Sequence, residues 1–195
     1  MPLVTRVELV TQISLGRVVS FPTDTVPALA VRPENSDQIY ALKQRGNDKP
    51  LILMAATLQD LEPYLSAQAL QDSHWSEITA RYWPGALTLV LPASDRLPLA
   101  MNPQGDKTLG VRVPDSAWAR EILSQTGPLA TTSANLSGQP PLSTQTAIAE
   151  TFPAVFVLDC GEQNDISLGN NQPSTVAQWT GEQWQILRSG QIKLD

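Results

Sequence analysis

One cysteine, Cys160, and one histidine, His74, in 195 residues remove several kinds of chemistry at the outset. No internal disulfide can form, and no Cys/His cluster is available for zinc. A Ser-His-Asp or Cys-His apparatus would rest on His74 alone. That residue lies in "QDSHWSE", a helical segment where a surface or packing role is expected. Cys160 ends an apolar strand and is expected to be buried and inert. No run approaches the length of a membrane span, and "MPLVTRVELVTQ" is interrupted by Arg6 and Glu8. Neither a membrane helix nor a signal peptide is therefore expected, and the expected location is cytoplasmic. The formal charge of −6 argues against a protein that coats nucleic acid through many phosphate contacts, although a local basic patch is allowed. GxxxxGKS/T is missing, which excludes a P-loop, and no GxGxxG follows a strand, which argues against a Rossmann cofactor site.

What is present is punctuation and periodicity. Pro22, Pro84, Pro114, Pro128, Pro153 and Pro173, six of 16 prolines, stand at the ends of apolar runs. "RVVSF" predicts a short buried strand, so that "FPTDTVPALAV" becomes a strand-to-loop segment. Asn35 or Ser36 is expected to cap a helix with Ile39, Tyr40 and Leu42 on its apolar side, ending in "KQRGNDKP" at Gly46 and Pro50. "PLILMAA" predicts a second strand, Thr57 a short helix, and Ser66 to Trp83 a longer helical region. "GALTLVLPA" and "KTLGVRVP" predict strands, and Asp115 is expected to cap "SAWAREILSQT", which stops at Gly127. "LATTSA" and "AVFVLDCG" predict further strands, with Ser143 or Thr144 capping "TQTAIAE" between them. "STVAQW" and "WQILRSG" predict a hairpin. The pattern predicts a single α/β (α+β) domain over 1–195, a mixed sheet with helices on its faces.

Four strand ends or adjoining loops carry small hydroxyls: Thr23 and Thr25; Thr108; Thr131, Thr132 and Ser133 with Asn135; and Ser174 with Thr175. Such residues also finish turns, but strand ends on one side of an α/β sheet are where ligands bind. Arg112 in "GVRVP" and Arg188 in "ILRSG" sharpen the signal. A guanidinium in an apolar strand needs a partner and matches carboxylate or phosphate as a fork, the alternative being an outward face of an amphipathic strand. Lys43, Arg45 and Lys49 gather in "KQRGNDK", where cations also complement a helix dipole. Cations and hydroxyls without a usual nucleophile or base suit catalysis by positioning and charge stabilisation, as in transfer at phosphorus.

In their order and spacing, "FPTDTVPALAV", "LKQRGNDKPL", "TLGVRVP", "TTSANLSGQPP", "PSTV" and "ILRSG" resemble the YrdC-type threonylcarbamoyl-AMP synthase family, over nearly the whole chain. The resemblance implies a twisted, open mixed sheet around a concave, positively charged cavity. It implies an L-threonylcarbamoyladenylate synthase, a nucleotidyltransferase that joins L-threonine, bicarbonate and ATP into threonylcarbamoyl-AMP and pyrophosphate. Mg²⁺ would ride on the ATP phosphates with no protein-held metal. The product would feed modification of tRNA adenosine 37 through downstream threonylcarbamoyl-transfer proteins, with tRNA itself a further candidate partner and no membrane. By resemblance Lys43, Arg45 and Lys49 are catalytic cations; Arg45, Lys49, Thr108, Asn135, Ser143 and Arg188 contact ATP; and Thr25, Arg112, Ser133 and Ser174 hold threonine. Two positions depart from the family pattern: Pro27-Ala28, where many members have tyrosine-glycine, and Met54, where many carry histidine. The alternatives are a double-stranded RNA or tRNA binder of the same fold without synthase activity, and a carbamoyl-adenylate-forming relative.

Overall fold

The computed structural model describes residues 3–43, 50–180 and 182–194. The first half holds β1 (Leu3–Val4), α1 (Arg6–Ser14), β2 (Val19–Phe21), β3 (Ala28–Val31), α2 (Asp37–Lys43) and β4 (Ile52–Met54). Next come α3 (Leu58–Leu61), α4 (Ala67–Gln71), α5 (Ser73–Tyr82), β5 (Leu87–Pro92) and β6 (Thr108–Arg112). The chain continues through α6 (Ala117–Thr126), β7 (Leu129–Ser133), α7 (Gln145–Thr151), β8 (Phe156–Leu158) and the hairpin β9 (Thr175–Trp179) to β10 (Trp184–Arg188). The strands form one sheet in the order β1-β8-β2-β3-β7-β4-β6-β5-β9-β10. It is mixed, as expected: β8 pairs parallel with β1 and β2, β4 with β6 and β5 with β9, whereas β3, β7 and β10 join antiparallel.

Alternation along the central strands sorts their side chains onto two faces. Leu53, Leu89, Leu91, Leu109, Val111, Ala130 and Ala177 lie in one core cluster with Ile39 and Tyr40 of α2, Trp75 of α5 and Ile148 of α7. The other face packs Val19, Phe21, Ala28, Ala30 and Leu129 against Leu9 and Ile13 of α1 and Ile122 and Leu123 of α6. That second layer stops short. Ile52, Gly110, Val90 and Val176 share its face but are only partly buried, so the middle of the sheet is open on that side.

Several local expectations shift. α6 is capped by Ser116, whose hydroxyl accepts the Ala119 N–H, and not by Asp115. Thr144 rather than Ser143 caps α7. The stretch from Ser66 to Trp83 is two helices, because Asp72 turns extended and its carboxylate caps α5. Ahead of α2, a 3-10 turn at Pro33–Asn35 intervenes, and the Ser36 hydroxyl donates backward to the Pro33 carbonyl. The expected helix end at Gly46 lies outside the described residues. Three elements went unanticipated: β1 is only two residues, α1 buries little beyond Leu9 and Ile13, and β3, "ALAV", is buried on both faces and lacks alternation.

Candidate functional site

The uncovered face of the sheet is a concave cavity of about 220 Å³, lined from strand ends and the loops after them. Its first wall is the turn after β2. Thr23 and Thr25 are each 1% exposed, with their hydroxyls 3.0 Å apart. The loop carrying Gly169 lies against this turn: Asn170 and Asn171 donate backbone N–H groups to the carbonyls of Asp24 and Thr25. A Cβ on Gly169 would sit 2.2 Å from the Thr25 carbonyl oxygen, so only glycine permits the approach.

Arg112 ends β6 at the bottom of this wall and is 4% exposed. Its Nε donates to the Gly85 carbonyl at 3.0 Å, Nη1 to Thr25 Oγ1 at 2.8 Å and Nη2 to Asp24 Oδ1 at 2.7 Å. Burial pulls the guanidinium pKa below its ordinary value, and the Asp24 charge and hydrogen bond oppose that shift. A guanidinium has five N–H donors, so two remain beyond these three contacts, one on each Nη. Guanidinium donors of this kind suit a carboxylate or phosphate.

The opposite wall comes from α2, β7 and the loop after it. Lys43, 3% exposed, sends Nζ to the Ser133 carbonyl at 2.6 Å, Asn135 Oδ1 at 3.0 Å and Thr132 Oγ1 at 3.4 Å. Ser133 Oγ also donates to Asn135 Oδ1, and the Asn135 amide donates to the Leu136 and Gln139 carbonyls. The lysine thus pins the loop while placing its charge at the cavity edge. The third wall is the β9–β10 hairpin. Arg188 clamps Ser174 by donating Nε and Nη2 to its carbonyl and Nη2 to its hydroxyl, and that hydroxyl lies 2.8 Å from Thr88 Oγ1. Arg188 reaches this face because of a bulge: Ile186 pairs with Ala177 but Arg188 pairs with Val176, leaving Leu187 as the extra residue. In regular register Arg188 would turn to the opposite face.

Thr25, Lys43, Arg112, Ser133, Asn135, Ser174 and Arg188 therefore line one cavity, together with Pro27, Ala28 and Met54. Thr108 does not. It stands at the other end of β6, about 13 Å along the strand from Arg112, and lines a separate cavity with Gln178 and Trp179. It shares the Gly110 and Arg112 face of the strand by alternation. Ser143 precedes the α7 cap and is not among the lining residues. Arg45 and Lys49 lie outside the described residues. Asp24, Thr88 and Gly85 had no role in the sequence reading, and Thr23 entered it only among the strand-end hydroxyls. A signal existed for Asp24, since a buried arginine requires a counter-charge and an aspartate sits between Thr23 and Thr25. His74 is an exposed residue bonded to Asp72 and stacked on Trp179, 4.5 Å between centroids. Cys160 is buried, its thiol pushed up to about 11 chiefly by burial, with Asp159 adding to the shift.

Among the described residues, no group of three or more His, Cys, Asp or Glu could hold a metal ion, and no helix is long and apolar enough to cross a membrane. The site offers a buried guanidinium, further cations and hydroxyls, a set that recognises carboxylate and phosphate. Known proteins are similar to the chain as a whole. A threonylcarbamoyl-AMP synthase of Vibrio vulnificus is 35% identical over 188 residues, 94% of this chain and 97% of its own. One from Escherichia coli is 36% identical over 179 residues, 89% of this chain and 90% of its own. The crystal structure of P. abyssi Sua5 complexed with L-threonine superposes with a TM-score of 0.83 at 31% identity, covering 95% of this chain and 53% of the longer Sua5. The Sua5–YciO–YrdC family profile, described as "Telomere recombination", matches residues 11–190. Every cavity residue named above falls within that match, and the chain belongs to the Sua5–YciO–YrdC family.

Proposed function

We propose that the protein is an L-threonylcarbamoyladenylate synthase, joining L-threonine, bicarbonate and ATP into threonylcarbamoyl-AMP and pyrophosphate. The observation that carries this reading is Arg112, buried at the base of a hydroxyl-lined cavity with two N–H groups to spare. The relatives named for this synthase and the Sua5 complex with L-threonine support it. The spare Arg112 donors take the threonine carboxylate, and Thr25, Ser133 and Ser174 surround the rest of the amino acid. Lys43, Arg188 and Asn135 face the phosphates from the other walls, joined by Arg45 and Lys49. The nucleoside extends out of this cavity toward Ser143 and Thr108, neither of which lines it. Magnesium arrives on the ATP phosphates as part of the substrate.

The threonine amine adds to the carbon of carbon dioxide and loses a proton, forming a carbamate; from bicarbonate the same addition also breaks a C–O bond, and the expelled hydroxide leaves with that proton as water. A carbamate oxygen attacks the α-phosphorus, its new P–O bond replacing the bond to the pyrophosphate that leaves. Every species is anionic, so the chain's cations offset charge where it accumulates while the walls hold the reactants in line and restrict water. The product suits transfer to tRNA adenosine 37 by downstream proteins in the cytoplasm, and residues 1–195 act as one YrdC-like domain. Pyrophosphate release, with mass detection of the adenylate, tests the reading. Release should require L-threonine and bicarbonate together. Equal release with serine, or release without bicarbonate, overturns it.

A further inference from the structure

The hydroxyls of Thr23 and Thr25 form a chain whose direction is set by its two ends. At one end the Val26 carbonyl can only accept, so the 2.7 Å contact from Thr23 Oγ1 uses the single Thr23 hydroxyl proton. At the other end Arg112 Nη1 can only donate, to Thr25 Oγ1 at 2.8 Å. The 3.0 Å contact between the two hydroxyls would run either way in isolation. With the Thr23 proton already on Val26, Thr25 must donate. Thr23 Oγ1 also accepts the Thr25 backbone N–H at 3.1 Å, so its one donor and two lone pairs are all engaged. Thr25 Oγ1 has given its proton to Thr23 and one lone pair to Arg112, and keeps one lone pair. Both residues line the cavity.

We infer that Thr23 is a positioning residue: by holding the Thr25 proton it makes the Thr25 wall a hydrogen-bond acceptor, so the site selects ligands that carry an N–H or O–H donor beside the carboxylate held by Arg112. The identity of the ligand as L-threonine rests on the function proposed above. A hydroxyl free to rotate would meet donors and acceptors alike. One locked as an acceptor in a buried wall discriminates, because a ligand without the donor leaves it unpaired. L-Threonine offers two such donors, its ammonium and its hydroxyl.

Calorimetry of three probes distinguishes them: L-threonine, α-aminobutyrate, which lacks the hydroxyl, and β-hydroxybutyrate, which lacks the ammonium. In the parental protein at least one analogue should bind roughly tenfold or more weaker than threonine. Thr23→Val should weaken threonine about tenfold and shrink that analogue's penalty, leaving ATP affinity unchanged. Thr23→Ser should restore both. The shrinking penalty is a coupling between Thr23 and the ligand's donor, which a packing role alone would not move. Equal weakening of all three probes in Thr23→Val, or threonine affinity within about twofold of parental, overturns the inference and leaves the synthase reading standing. If Thr23→Val loses ATP binding through misfolding, Thr23→Cys, whose sulfur accepts weakly, should show the same ordering, and an unchanged penalty there also overturns it. Failure of the parental protein to bind L-threonine at all removes the synthase reading and the inference with it.

Discussion

At the scale of single residues, Arg112 and Asp24 show what sequence reveals and hides. An arginine among valines and glycine marks either a buried charge or an outward strand face, and the fold buries it. Its partner was not legible, because the two stand 88 residues apart and only the fold brings Asp24 Oδ1 within 2.7 Å. The pair predicts an asymmetric response. Asp24→Ala leaves the guanidinium buried without its counter-charge and should lower stability by about 3 kcal/mol. Asp24→Asn keeps an acceptor oxygen and should cost clearly less. Denaturant unfolding of both variants checks this, and equal losses would mean that the carboxylate charge, and not the hydrogen bond to its oxygen, is what holds Arg112.

At the scale of elements, strand and helix identities followed from apolar patterning, while caps and register followed from contacts. Asp115 and Ser116 are both good cap residues in adjacent positions, and sequence gives no reason to prefer one. The fold decides, since the Ser116 hydroxyl accepts from Ala119 and also reaches the Pro22 carbonyl, tying α6 to the start of the cavity turn. Ser116→Ala should therefore lower stability by about 1 kcal/mol and Asp115→Ala by only a few tenths. Thermal melts showing the reverse order would return the cap to Asp115. The bulge at Leu187 is a stronger case of the same limit. "WQILRSG" reads as a strand either way, but the face that Arg188 occupies depends on one extra residue opposite Val176. The tyrosine-glycine to Pro27-Ala28 departure is likewise placed only by the fold, which puts both residues on the cavity lining.

At the scale of the whole molecule, the sheet is continuous from β1, paired with β8 late in the chain, to β10. A chain whose first strand leans on a late one should unfold as a single unit. Cys160 reports on this because its thiol is buried and pushed up to about 11, mainly by burial with Asp159 assisting. At pH about 8 very little thiolate forms in the folded state. Labelling by a thiol reagent should be slow without denaturant and should rise along the same denaturant curve as tryptophan fluorescence. Fast native labelling, or two separated curves, would mean that the region around β8 opens independently of the rest.

What the sequence determined by itself was chemical inventory and local form. Without a second cysteine or histidine it excluded an internal disulfide and a Cys/His zinc cluster, and its apolar runs between prolines specified most strands and helices. Its ordered motifs also pointed to the family to which the chain belongs. These are properties of composition and short-range pattern. The tertiary structure decided which inventory becomes a site. It left one sheet face partly uncovered, brought Thr25, Arg112, Ser133, Ser174 and Arg188 to that gap, and set Thr108 apart at the far end of β6. It also oriented the Thr23 and Thr25 hydroxyls through Val26 and Arg112. The physical reason is that hydrogen-bond direction, strand register and counter-charge are relations between residues distant in the chain, and they acquire values only when the sheet closes around them.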